Sequence, residues 1–112
     1  MSKSSAAWPE ERIHPFLWLL AELAGCGYDE MDRDAVDAGL ATTDYHSDKW
    51  FEYLLSGKQT VPLRLSHDWE GSMVFVEFSG DPDLLAAVKG VEATMSSYTL
   101  SGGPYAPPHR AV

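Results

Sequence analysis

The hydrophobic positions near the start of the chain recur at helical spacing and predict a helix over residues 15–24. Apolar residues occupy almost every side of that helix, and Glu22 is nearly alone as a charge. A helix with so little polar surface must be buried on more than one side. We therefore expect residues 15–24 either at the centre of the fold or at the interface of a homodimer.

A second, weaker helix is predicted over residues 29–41. Asp29 or Asp32 can cap its N-terminus, because a short acidic side chain accepts hydrogen bonds from the free N–H groups of a first turn. Further acids in that turn interact favourably with the helix dipole. The apolar positions of this segment are fewer, so we expect only one side of the helix to be buried.

From residue 50 onwards the hydrophobic period changes from helical to alternating. Short turns separate three segments with this pattern, so an antiparallel meander is predicted. Its strands cover residues 50–55, 60–66 and 73–78. Pro62 has no N–H for a strand ladder, so the second strand is expected at a sheet edge or bulged at that position. Residues 48–55 fit a helix as an alternative.

A last helix is predicted to begin after Asp81. This residue can cap a helix, and Pro82 suits the first helical position, where no N–H is needed. Apolar residues then continue at helical spacing. Residues 91–100 fit either the end of this helix or a further strand.

The predicted element order is α-α-β-β-β-α, which belongs to the α+β class with the helices packed on one face of the sheet. The length of 112 residues predicts a single domain over residues 1–112. Residues 1–7 are small and polar and are expected to be frayed. Residues 102–112 are rich in proline and glycine and are expected to form an extended tail.

The chain is acidic, with seventeen acids against eight bases and a formal net charge of −9. Such a surface repels phosphate backbones and anionic membranes, so neither nucleic acid nor membrane is expected as a partner. A basic protein would be attracted to it. The alternative is that the charge only keeps the protein soluble.

Cys26 is the only cysteine, which excludes an internal disulfide and fits a reducing, cytoplasmic location. Residues 23–26 match the cleavage box of bacterial lipoproteins. Glu22, however, interrupts the apolar stretch before the box, and Glu10 and Glu11 offset the positive charge that an export signal requires. We therefore expect no export.

A small cluster of histidine and aspartate suggests one alternative chemistry. Asp44, His46 and Asp48 would share one face of a strand, and His67 could join them. These residue types bind zinc and similar ions. Established zinc motifs are absent, so we expect a solvated loop, no metal, no other cofactor and no assigned catalytic residue. A small metal-dependent enzyme or ligand-binding protein is the alternative.

The acidity is concentrated between residues 29 and 52, where eight acids face two bases and aromatic residues are interleaved. Acids steer association with a basic partner, and exposed Tyr or Trp anchors it. Trp69 belongs to the same prediction, because it occupies a turn where small polar residues are usual. The candidate partner-binding residues are Asp32, Asp34, Asp37, Asp44, Tyr45, Asp48 and Trp69.

The predicted function is a small interaction module that binds a basic protein. In size and charge the chain is similar to nuclease inhibitors and toxin-immunity proteins. A homo-oligomeric domain without catalytic activity is a further alternative.

Overall fold

The computed structural model describes residues 2–43, 49–58, 60–67, 73–94, 98–99 and 109–110. The helices are α1 (Ile13–Ala24), α2 (Glu30–Ala41) and α3 (Pro82–Thr94), with one 3-10 turn, Glu10–Arg12, before α1. The strands are β1 (Ser2–Pro9), β2 (Phe51–Leu55), β3 (Val61–His67), β4 (Met73–Gly80), β5 (Tyr98–Thr99) and β6 (His109–Arg110). None of the described helices is long and apolar enough to cross a membrane.

Strands β1 to β4 form one antiparallel sheet in the order β1-β4-β3-β2, and β5 pairs with β6. The α+β class and the β2–β3–β4 meander are therefore confirmed. The three-stranded sheet and the order α-α-β-β-β-α are wrong, because an additional strand precedes α1. Residues 2–7 lie in this strand rather than in a frayed end. Pairing with β4 holds them there, with Ala6 opposite Val76 and Trp8 opposite Val74.

Helix α1 lies at the centre of the fold. Its fully buried residues include Phe16, Leu17 and Leu20, and only Glu22 and Leu23 are exposed. Each buried side chain of this size stabilises the fold by roughly 1.5–3 kcal/mol. The apolar character of residues 15–24 is thus accounted for within one chain.

The predicted N-terminal caps of α2 and α3 are confirmed. Asp29 and Asp32 form a reciprocal capping box, in which each carboxylate accepts the backbone N–H of the other residue, at 2.9 and 3.1 Å. The Asp81 carboxylate accepts the N–H of Leu84 at 2.8 Å. Residues 91–94 continue α3, whereas residues 98–99 form a strand, so each alternative for this segment holds for a part of it.

The strand prediction, rather than the helix alternative, is confirmed for Phe51–Leu55. Strand β3 lies between β4 and β2 and is therefore a central strand. The expectation that Pro62 marks an edge or a bulge is therefore wrong. Pro62 pairs with Leu54 of β2, and the ladder with β4 begins one residue later, at Leu63. Pro62 thus lies at the end of its strand, beyond the ladder with β4, where a missing N–H is tolerated.

The sheet has one covered face and one open face. Alternate residues such as Leu63, Leu65 and Val76 are buried beneath the helices. The opposite side chains form the open face, which none of the described helices covers; there Leu54 is 53% exposed and Phe75 is 40% exposed. The two-layer arrangement therefore leaves a mixed apolar and charged sheet surface in contact with solvent.

Candidate functional site

Three side chains from separate segments form a hydrogen-bonded chain beneath α2. His14 of α1 contacts the Tyr28 hydroxyl through Nδ1 and the Asp37 carboxylate through Nε2, at 2.7 Å in both cases. A carboxylate can only accept, so Nε2 donates to Asp37, and in the neutral ring Nδ1 accepts the Tyr28 O–H. Both His14 and Tyr28 are 5% exposed.

The order hydroxyl, imidazole and carboxylate is also that of a nucleophilic catalytic triad. Tyr28 does not suit that role. Burial, followed by the negative charges of Asp37 and Asp32, raises the pKa of its phenol well above the usual range. At 5% exposure Tyr28 is closed to a substrate, and the hydrogen-bonded chain fastens α2 to α1 instead.

Two further side chains extend this cluster towards the surface. The Trp18 ring stacks on Tyr28, with centroids 6.1 Å apart and planes 9° apart. The Arg33 guanidinium lies 5.7 Å from the centre of the Trp18 ring, within the range of a cation–π interaction. Arg33, the only base of α2, is therefore drawn back over an aromatic ring.

A second contact ties α2 to the sheet. The Tyr53 hydroxyl of β2 donates a hydrogen bond to Asp32 Oδ1 at 2.5 Å. Burial and this hydrogen bond raise the pKa of Tyr53 to about 12. Asp32 consequently serves both the capping box and the junction between α2 and β2.

The structure thus separates the three candidate acids of α2. Asp32 and Asp37 make internal hydrogen bonds, whereas Asp34 is exposed. Its exposed neighbours are Glu30 and Met31, and the Met31 side chain is 80% exposed. We call Glu30, Met31 and Asp34 the acidic face of α2.

The other candidate residues are only partly covered by the structure. Asp44, Tyr45, His46, Asp48 and Trp69 lie outside the described residues. His67 is buried, and its Nδ1 lies 3.0 Å from the Thr43 hydroxyl. Within the described part of the chain, no three His, Cys, Asp or Glu side chains are grouped so that they could hold a metal ion.

Cys26 is half-buried beside the end of β2. Its backbone forms an isolated antiparallel β-bridge with the backbone of Gly57. Burial, and then the charge of Asp32, raise the pKa of the Cys26 thiol. The thiolate is the reactive form of cysteine, so both effects make this side chain a poor nucleophile.

A groove of about 410 Å³ crosses the open face of the sheet. At the side of the groove the Arg64 guanidinium donates a hydrogen bond to the Glu77 carboxylate at 3.1 Å. A carboxylate oxygen of Glu52 lies 4.0 Å from Arg64 Nε, and the guanidinium lies 4.8 Å from the centre of the Trp50 ring. The groove is lined by Lys3, Glu52, Leu54, Pro62, Arg64, Glu77, Ser79 and parts of Tyr53 and Leu63.

Sequence reasoning did not single out Arg64 and Glu77. The signal that identifies them is strand alternation, because each is the only Asp, Glu, Lys or Arg residue in its strand. Such a position points away from the core.

No protein-family model matches the chain, and neither a curated protein nor a solved structure matches it.

Proposed function

We propose that the protein binds a basic protein partner through the acidic face of α2. The observation that carries this proposal is the exposure of Met31 between the acids Glu30 and Asp34. An apolar side chain surrounded by charges combines an anchor that loses water on binding with a rim that steers the partner.

The rest of α2 supports this role by holding the face in place. Asp37 is bound to His14, and Asp32 is bound to Tyr53, so the helix is fixed to both α1 and the sheet. A surface that is already rigid loses little conformational entropy when it binds.

The electrostatics of the whole chain act in the same direction. The net charge of −9 attracts a basic partner from a distance and repels acidic ones. Arg33, which would oppose this attraction, is held over Trp18. Binding of this kind fits an inhibitor of a basic enzyme, or a toxin-immunity protein, and we place the protein in the cytoplasm because its single Cys26 suits a reducing compartment.

The test uses a synthetic amphipathic peptide of lysine and leucine as the probe, titrated into the isotopically labelled protein. We expect NMR shift changes concentrated at residues 30–34, and an affinity that falls as the salt concentration rises. Asp34→Lys is expected to weaken binding on the order of threefold to tenfold at low salt.

Asp83→Lys is the matched control, because Asp83 is an exposed acid in the first turn of α3 and its reversal changes the net charge by the same amount. The control should bind almost as well as the unchanged protein. Equal losses in the two variants would reduce the effect to overall charge and overturn the proposed site.

A further inference from the structure

The side chains of the open face form rows that cross the sheet, because the strand registers place them opposite one another. In the middle row Arg64 of β3 lies between Glu77 of β4 and Glu52 of β2. Ser5 of β1 completes this row opposite Glu77. The row on one side contains the pairs Lys3–Ser79 and Leu54–Pro62. The row on the other side contains the pairs Ala7–Phe75 and Phe75–Ser66.

The two central strands carry opposite charges in the middle row. Where β4 carries the acid Glu77, β3 carries the base Arg64. Where β4 carries the exposed Phe75, β3 carries Ser66, which is fully buried and donates a hydrogen bond to the Lys49 carbonyl. Charge is therefore complementary between the β3 half and the β4 half of the open face.

A surface with this property fits a second copy of itself. A two-fold axis lying between two such faces, parallel to the strands, places β4 of one copy over β3 of the other. Glu77 then faces Arg64 of the second copy, and this contact occurs twice. The exposed Leu54 faces the aliphatic stem of Lys3 of the second copy.

We infer that the open face of the sheet is a self-complementary interface through which two copies of the chain form a dimer. Face-to-face packing of two sheets with nearly aligned strands is a common arrangement. This interface is distinct from the first helix, whose apolar residues are buried within the chain.

The size of the open face sets the strength of the dimer. Four strands at about 4.8 Å spacing and about 20 Å in length bury on the order of 1,000 Å² in total when two faces meet. This area is at the low end for specific interfaces, so the dimer is weak, with a dissociation constant on the order of 100 µM. The helices lie on the outside of both sheets, so the acidic face of α2 stays accessible.

The experiment measures sedimentation velocity of the full chain between about 5 and 500 µM at about 0.15 M salt, which screens the overall repulsion between two chains of net charge −9. We expect a monomer–dimer equilibrium for the unchanged protein. Arg64→Glu and Glu77→Arg should each be monomeric, because each places like charges opposite one another twice. An equimolar mixture of these two monomeric variants should form dimers, because every reversed charge then meets its opposite.

Two further variants keep the test independent of folding. Each single reversal also breaks the internal Arg64–Glu77 ion pair, whereas the double variant R64E/E77R restores this pair within and between copies, loses only the longer contact with Glu52, and should dimerise. Leu54→Lys alters an exposed side chain and should be monomeric. Asp34→Arg, with the same charge change on α2 as Glu77→Arg, should dimerise.

An unchanged protein that stays monomeric up to about 500 µM would overturn the inference. So would a mixture of folded Arg64→Glu and Glu77→Arg proteins that stays monomeric, or a Leu54→Lys variant that dimerises as well as the unchanged protein.

Discussion

His14 shows which single residues a sequence can and cannot identify. Asp29 and Asp81 are recognisable as caps because their hydrogen-bond partners lie three residues away along the chain. The partners of His14 lie 14 and 23 residues away, so no local pattern relates them. The same separation conceals the hydrogen bond between Asp32 and Tyr53, which is why Asp32 and Asp37 are indistinguishable from Asp34 before the fold is known.

The hydrogen bond from His14 to Asp37 makes a prediction about stability. Asp37→Ala removes the 2.7 Å hydrogen bond that joins the buried His14 ring to α2, so we expect the free energy of unfolding to fall by about 1–3 kcal/mol. Asp34→Ala, three residues earlier on the exposed side of the same helix, should change it by less than about 0.5 kcal/mol. Urea denaturation at neutral pH measures both, and equal effects would remove the structural role assigned to Asp37.

The two tyrosines bound to this cluster predict how stability depends on alkaline pH. The pKa of Tyr28 is raised and that of Tyr53 is raised to about 12 in the folded protein, while an unfolded tyrosine has a pKa of about 10. A raised folded pKa gives stability that is complete below pH 10 and is lost as the pH rises towards 12. We expect the urea midpoint to fall over this range and to fall less steeply in Tyr53→Phe; an equal slope would contradict this assignment.

Among the elements, those with their own hydrophobic period are predictable and β1 is not. Helix α1 and strands β2 to β4 bury enough apolar residues at regular spacing to be recognised. Strand β1 has mostly small side chains and one large apolar one, Trp8, and it is a strand because β4 offers a free edge to pair with. Pro62 misleads for a related reason, since the end of a central strand and the edge of a sheet impose the same requirement on a missing N–H.

Two glycines in helices lead to opposite predictions for the stability of the protein. A Cβ at Gly39 of α2 would overlap the Phe51 ring, whereas at Gly90 of α3 no described atom lies within 4 Å. Gly90→Ala should therefore stabilise the protein by roughly 0.5–1 kcal/mol through helix propensity. Gly39→Ala should destabilise it, because the overlap forces α2 away from β2. Thermal or urea unfolding measures the change in stability of both variants. If both substitutions stabilise the protein, the Phe51 ring does not restrict the side chain at position 39.

For the whole molecule, composition and pattern suffice for the α+β class with helices on one side of a sheet. The strand order does not follow from them, because sequence spacing alone does not show that the first strand pairs with the last strand of the meander. The composition of the open face cannot be predicted from the sequence for the same reason. Its rows bring together residues from four strands, and only the registers between strands show that Arg64 lies between two glutamates.

The position of β1 predicts a large effect of removing it. Without residues 2–9, β4 becomes an exposed edge strand and Trp8 no longer packs on Phe16, where the ring centroids are 5.3 Å apart. We expect a chain beginning at Glu10 to lose several kcal/mol of stability and to aggregate through the free edge. Size-exclusion chromatography and urea denaturation check both effects. A monomeric truncated protein with unchanged stability would show that β1 is dispensable.

The pairing of β1 with β4 also sets an order in time. Residues 2–9 leave the ribosome before the other strands of the sheet, yet their partners at residues 73–80 are synthesised last among these strands. The meander can form as each of its neighbours appears, because its contacts are short in sequence. Strand β1 therefore stays without its partner strand until β4 has been synthesised. A strand of small and polar residues is suited to that interval, since an apolar one would offer nascent chains a surface on which to associate.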